Sequence, residues 1–330
     1  MYKKLYPLKF NPVVLDKAWG SESWEISSMG DGLEGTVENG FLAENTLSDI
    51  LETYMGELVG DNIFEFFNLQ FPVLIKFLQV RDRLSVQVHP DDATALERYG
   101  DYGKNECWYI MEADSSARIH MGFKRPVTAA EVYSGCKDGT IVELLNEYIP
   151  HKGEFFWIPA GTVHACRGNL LIAEVQQPSD ISLRLYDWGR ENDPSTAREM
   201  HLEEALDCID YSAFDDKANH IARMDDISTL VRDSHFSVTR MKLSSPAGVT
   251  MENSNSFIAY ICTDGSAEIA SDGGETFTIA RKETILVPAS FDNFTIRPAK
   301  GGVSLLQVHV DRIEEKDTYI NDTDNGQNKD

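Results

Sequence analysis

From Gly153 to Gln177 the chain reads GEFFWIPAGTVHACRGNLLIAEVQQ, a series of short apolar runs cut by Pro159, Gly161 and Gly168. Helices of ordinary length do not fit between such breaks, whereas antiparallel strands joined by tight turns require them. The same punctuation returns from about residue 233, where FSVTRMKL, SFIAYICT, AEIASD, ETFTIA, ETILVPA, NFTIRP and VSLLQVHV follow one another. This pattern predicts a mainly β chain built as two sandwiches, with a few short helices mostly in the N-terminal part. One helix is expected from a Ser48 cap to Gly60, and another between an Asp91 cap and Gly100. Two more are expected near 128–134 and 139–148, and residues 183–200 read as a polar loop ahead of the helix LEEALDCI.

The two halves carry a faint repeat. GEFFWIPAGTVHA (153–165) aligns with KETILVPASFDNF (282–294), so that Pro159 falls on Pro288 and His164 on Asn293. The second copy keeps the turn and loses the histidine. The expected division is therefore a metal-binding domain with helical additions at 1–232 and a degenerate sandwich of structural role at 233–313. A polar segment at 314–330 is too poor in apolar residues to bury a core and is expected to be disordered.

Charge and cysteine usage narrow the function. The 330 residues include 54 acidic and 30 basic side chains, a net charge of −24. A general nucleic-acid or anionic-membrane binder has a basic footprint, so neither is expected as a partner. A few local cations can still hold a small anionic substrate. The five cysteines are scattered, with no CxxC pair, as in a reducing cytoplasm. No stretch resembles a signal peptide or approaches the length of a membrane span, and a cytoplasmic location is expected.

Within this frame LSVQVHPDD (84–92) is unusual. Residues two apart on a strand face the same side, so Gln87 and His89 share a face on which Val86 and Val88 do not lie. Buried polar groups need partners, and a metal ion would satisfy both. Glu106, at the head of ECWYIMEA, and His164, just past Pro159, complete a candidate set of two imidazoles, a carboxylate and an amide. Such a set suits zinc, and the two histidines with Glu106 equally fit a ferrous facial triad. Read singly, each residue has an ordinary alternative as a packed histidine, a turn residue or a solvated carboxylate. Cys107 faces away from Glu106 and reads as a packed thiol, and Trp19 and Trp24 as N-terminal packing.

FPVLIKFLQVRDRLSVQVHPDD, YGKNECWYIMEAD, FFWIPAGTVHACRGNLLIAEVQQPSDISLRLYDWGR and AREMHLEEAL together resemble the type I mannose-6-phosphate isomerases in their short bacterial form. YPLKFNPVVLDKAWGSESWEIS resembles that family's opening segment, and the likeness runs from about residue 5 to about 208. The resemblance implies a cupin-type jelly roll and a zinc-dependent aldose–ketose isomerase interconverting mannose 6-phosphate and fructose 6-phosphate through a cis-enediol. It implies one zinc per chain held by Gln87, His89, Glu106 and His164. Ser85 and Lys104 fall on substrate-contacting positions, Arg184 on the active-site arginine, and Glu174 on its companion in the pocket. Arg190 falls where longer members have a lysine, and is expected to bind substrate with altered geometry. The base is a carboxylate, for which Glu174 is the obvious candidate, or a hydroxide on the metal. A metal-retaining, non-catalytic sugar-phosphate binder is the competing reading, and an iron oxygenase a third. The resemblance leaves the oligomeric state, monomer or dimer, open.

Overall fold

The structure, a computed structural model, describes residues 3–251 and 255–311. Two sheets form the N-terminal sandwich. A seven-stranded antiparallel sheet has at its centre Leu170–Gln176, flanked by Glu106–Ala113 and Leu74–Val80 and extended outward on both sides. A five-stranded sheet faces it, ordered Leu183–Tyr186, Val86–Val88, His164–Arg167, Arg118–Phe123, Leu145–Tyr148.

Alternation along the strands sorts side chains into three cores. Leu78, Trp108, Ile110, Ile172, Ile119, Met121 and Cys166 meet between the two sheets, filling one end of the sandwich with apolar groups. The outer face of the seven-stranded sheet (Ile75, Phe77, Cys107, Tyr109, Val175) packs against Phe236, Val238, Ala259, Ile261, Leu306 and Val308 of the C-terminal sheet. Val86, Val88, Ala165, Leu183 and Leu185 point the other way, under the helix Ala129–Asp138 and the short helix Leu202–Leu206. Cys107 and Cys166 are buried in these cores with free thiols, and burial pushes both well above the ordinary thiol range.

The C-terminal sheet has seven strands around two long antiparallel ones, Ile258–Ser271 and Phe294–His309. Each was expected as two shorter strands. Register shifts at Cys262/Asp264 and Gly265/Ala267 bend the pair without ending it, so bulges stand where the sequence suggested turns. The sheet also begins earlier than the expected boundary, because Ile227–Arg232 pairs with Ser237–Leu243.

Three local expectations change. The first helix is capped by Thr46, whose hydroxyl and Asp49 form a reciprocal capping box, and it ends at Tyr54, before two further short helices, Gly56–Val59 and Asp61–Phe67. The stretch near 128–148 holds one full helix, a 3-10 turn and a strand, because the Asn146 side chain and the sheet edge at Arg118–Phe123 draw Leu145–Tyr148 into pairing. The presumed loop at 183–200 opens as the strand Leu183–Tyr186, whose two leucines complete the core under the helices. The segment 314–330 lies outside the described residues. Among the described residues, no helix is long and apolar enough to cross a membrane.

Candidate active site

Where the inter-sheet core loses its apolar lining, polar side chains converge. Strand alternation turns Ser85, Gln87 and His89 inward as Val86 and Val88 turn outward, which resolves the oddity of that sequence. His164 enters from the neighbouring strand, with Gln87 as its cross-strand partner. The turn that delivers His164 is tied to His89, since the Gly161 amide donates to the His89 carbonyl at 2.9 Å. Gly161 has φ +86°, and a Cβ there would stand 3.1 Å from the Cys208 carbonyl oxygen, so the turn suits glycine alone.

Glu106 comes from the opposing sheet and meets both imidazoles. Its Oε2 lies 3.3 Å from His89 Nε2 and its Oε1 3.3 Å from His164 Nε2. Neither approach has the alignment of a hydrogen bond, and His89 Nε2 and both Glu106 oxygens are buried without a hydrogen-bond partner. The other imidazole nitrogens are committed: His89 Nδ1 is 2.8 Å from the Ile181 carbonyl and His164 Nδ1 2.9 Å from that of Thr162. A carbonyl only accepts, so each Nδ1 carries its hydrogen and each Nε2 presents a lone pair to the centre.

Electrostatics reinforce this state. Burial, with the Lys104 ammonium, brings His89 down to about 4 and keeps it neutral. Burial would raise Glu106, but the Lys104 ammonium beside it holds the carboxyl well below the usual carboxylate range. Two imidazoles and a carboxylate, desolvated and within 4.8 Å of one another, form a donor set that fits a divalent metal. Without a cation, His89 Nε2 and the two Glu106 oxygens would carry an uncompensated desolvation penalty. The Gln87 amide sits 3.3 Å from His164 Nε2 through its nitrogen, while its oxygen accepts from Ser85. A half-turn of the amide exchanges the two atoms and offers oxygen to a cation.

A cleft of about 290 Å³ opens beside these residues, lined by Ser85, Gln87, Lys104, Glu174 and Arg184 among others. Glu174 and Arg184 do not pair with each other. Glu174 takes the Trp108 indole N–H on Oε2 at 2.8 Å, and its cation is Lys76, 3.8 Å from Oε1. Burial and the charge of Glu106 push the Glu174 carboxyl up to about 7, against the pull of Lys76 and Lys104. Lys104 is buried too, which disfavours its charge, yet Glu106, Glu174 and Asp180 more than restore it. Arg184 donates to the Glu199 carbonyl at 2.9 Å, and its strand pairs it with Gln87.

Arg190 does not line the cleft. Its guanidinium is taken by Asp187 (2.7 Å), Asp82 (3.3 Å) and the Arg83 carbonyl (2.6 Å). Several cleft residues escaped the sequence reading, Lys76, Arg198 and Trp19 among them. Lys76 is 2% exposed and stands 4.2 Å above the Trp24 ring. A lone charge inside the apolar run FPVLIKFLQV was the signal that could have found it. Arg198 lines the cleft with no comparable mark in the sequence, and buried Trp19 closes its wall. Outside the cleft, Asn105 joins the strand of Glu106 to the turn before His164, donating to Gln177 and accepting from the Ala160 amide at 2.9 Å. Gln177 in turn donates to Asp92, which His235 also contacts at 2.8 Å.

A buried His–Glu–His cluster at the open end of a β-sandwich, beside a cation-rich cleft, defines a metal-site enzyme of the cupin type. The profile of the family "Phosphomannose isomerase type I, catalytic domain" matches residues 11–112. Mannose-6-phosphate isomerase ManA of Bacillus subtilis is 30% identical over 313 residues, covering 88% of this chain and 95% of its own. The probable mannose-6-phosphate isomerase GmuF of the same organism is 32% identical, at 88% and 96% coverage. The crystal structure of a Bacillus subtilis mannose 6-phosphate isomerase superposes with a TM-score of 0.77 at 26% identity, covering 92% of this chain and 99% of that one. The chain belongs to the type I phosphomannose isomerase family.

Proposed function

We propose that this chain is a zinc-dependent aldose–ketose isomerase that interconverts mannose 6-phosphate and fructose 6-phosphate. The observation that carries the reading is the buried cluster of His89, Glu106 and His164, in which His89 Nε2 and both Glu106 oxygens lack a hydrogen-bond partner, at the wall of a cleft that also holds a carboxyl tuned to about 7. His89, Glu106 and His164, with Gln87 after its amide turns, would hold the zinc. When bound, zinc supplies a Lewis acid that lowers the cost of negative charge developing on the sugar oxygens.

The remaining chemistry belongs to the side chains. Moving hydrogen between C1 and C2 of the open-chain sugar calls for one group that takes a proton from one carbon and returns it to the other. Glu174 is suited to this, because a carboxyl near 7 exists in both forms at neutral pH. Trp108 occupies Oε2, which leaves Oε1 to carry the proton. Lys104, kept charged by its acidic neighbours, is placed to donate toward enediol oxygens, and Ser85 adds a hydroxyl on the same wall. Arg184 contributes a guanidinium free of carboxylate partners among the described residues, suited to charge that appears in the transition state. The location we propose is the cytoplasm, with no nucleic-acid or membrane partner.

A coupled assay on protein purified without added metal tests the reading. Conversion of mannose 6-phosphate to fructose 6-phosphate, abolished by a chelator and restored by zinc, is the expected result. Metal-loaded protein that binds the sugar phosphate without turning it over would replace this reading with the non-catalytic one.

A further inference from the structure

The cleft contains more cations than its chemistry uses, and their partners differ. Lys17 pairs with Glu22 at 3.2 Å, Lys76 with Asp180 at 3.4 Å and Lys104 with Glu106 at 3.4 Å. Arg184 has no carboxylate partner among the described residues, and Arg198 has a special one. Asp187 is fully buried and takes Arg198 in a two-point grip, Nε at 3.0 Å and Nη2 at 2.6 Å. The same carboxylate binds Arg190 from another side. One buried carboxylate thus holds two guanidinia; Arg190 has Asp82 as a second partner, and Arg198 is the one that lines the cleft.

The segment carrying Arg198 is also fastened to the strand of Arg184. The His201 amide donates to the Arg184 carbonyl at 2.9 Å, the Arg184 amide to His201 Nδ1 at 3.2 Å, and the Arg184 guanidinium to the Glu199 carbonyl. The two arginines are held close enough that the charge of Arg198 adds to burial in making the Arg184 cation harder to keep. Two like charges fixed side by side in a half-buried cleft are stabilised when an anion enters between them. The two-point grip leaves Nη1 of Arg198 without a partner among the described residues, aligned by a fork that cannot rotate away.

We infer that Arg198, oriented by Asp187, is the guanidinium that binds the substrate's phosphate, leaving Arg184, across the strand pair from Gln87, to act at the reacting end. The inference rests on the isomerase reading for the identity of the substrate, but not for the phosphate contact. Arg190, held by Asp187 and Asp82 outside the cleft lining, buttresses the carboxylate that orients Arg198.

Steady-state kinetics on Arg198→Ala and Arg198→Lys, with Arg184→Ala as comparator, separate the roles, alongside calorimetric titration of the zinc-loaded proteins with inorganic phosphate. Loss of a charge-assisted contact to a dianion should raise KM for mannose 6-phosphate about tenfold or more in Arg198→Ala, with a much smaller change in kcat. Phosphate affinity should fall in parallel, and Arg198→Lys should recover part of both. Unchanged KM and phosphate affinity in a folded Arg198→Ala protein would overturn the inference, as would a fall in kcat alone. If Arg198→Ala does not fold, Arg198→Lys carries the same test, with normal KM and phosphate affinity as the contradicting result. A wild-type protein without isomerase activity would count against the substrate reading, and the phosphate titration would still decide the role of Arg198.

Discussion

The turn after Ile158 and the turn after Val287 are built alike and surrounded differently. Each follows a short strand, Phe155–Ile158 or Thr284–Val287, passes a proline and delivers a residue to the next strand. In the N-terminal sandwich that residue is His164, facing Glu106, His89 and Gln87. In the C-terminal sheet it is Asn293, whose side-chain oxygen accepts the Met251 amide at 2.7 Å and closes a turn. Around it Tyr260, Ile269, Ile285, Val287, Phe294, Ile296 and Leu305 fill the interior with apolar groups. Strand geometry can therefore be kept while the interior changes its character. An apolar filling stabilises its sheet by burial alone, whereas the polar filling of the first sandwich is balanced only with a cation in place.

The comparison can be broken from its polar side. Glu174→Gln should have the largest kinetic effect, lowering kcat about 10²- to 10⁴-fold, as expected when a general base is lost. The wild type should gain activity with rising pH, because the carboxyl raised to about 7 must be ionised to accept a proton, and lose it as pH falls through that value. Part of that rise comes from Glu106, so a cation that neutralises Glu106 moves the midpoint downward, to 7 or below. Kinetics of both proteins across the pH range check this, since the glutamine variant should lack the acid limb. Arg184→Ala should lower kcat and kcat/KM together by about 10²-fold, the size of a lost oxyanion donor, with fold and metal retained. Near-normal kcat in that variant would remove Arg184 from the chemistry.

The apolar side should respond in stability and hardly in activity. Ile285→Ala empties part of a fully buried cluster and should cost about 2–5 kcal/mol in denaturant unfolding, with metal content unchanged. Asn293→His restores the missing imidazole and should still bind no second metal, because the interior beside it is filled with apolar side chains. Two metals per chain in that variant, counted by elemental analysis, would show that the turn alone makes the site.

How much of this was written locally follows from the same contrast. The shared inward face of Gln87 and His89 was legible because alternation on a strand is a short-range property, and a polar residue turned inward must answer for its desolvation, whereas Glu106 and His164 are brought to it by the facing sheet and the neighbouring strand. The positions of Arg190 and Arg198 were not legible, because both depend on Asp187, whose burial is decided by how the segment after the strand Leu183–Tyr186 folds back. That strand was itself hidden by its polar neighbours, although Leu183 and Leu185 alternate as a half-buried strand should. Pairing with Val86–Val88 supplied what local propensity lacked. In the C-terminal sheet, glycines that read as strand ends became bulges, since the long partner strand continued through them.

The central claim is that the metal site of the N-terminal sandwich depends on His164, the residue whose counterpart in the C-terminal sheet is Asn293. Elemental analysis of purified His164→Asn, which gives the first turn the residue of the second, tests it against the wild type. The account predicts one zinc per wild-type chain and almost none in the variant, whose fold is otherwise kept because the apolar end of the sandwich is untouched. A folded His164→Asn protein that retains stoichiometric zinc would contradict it.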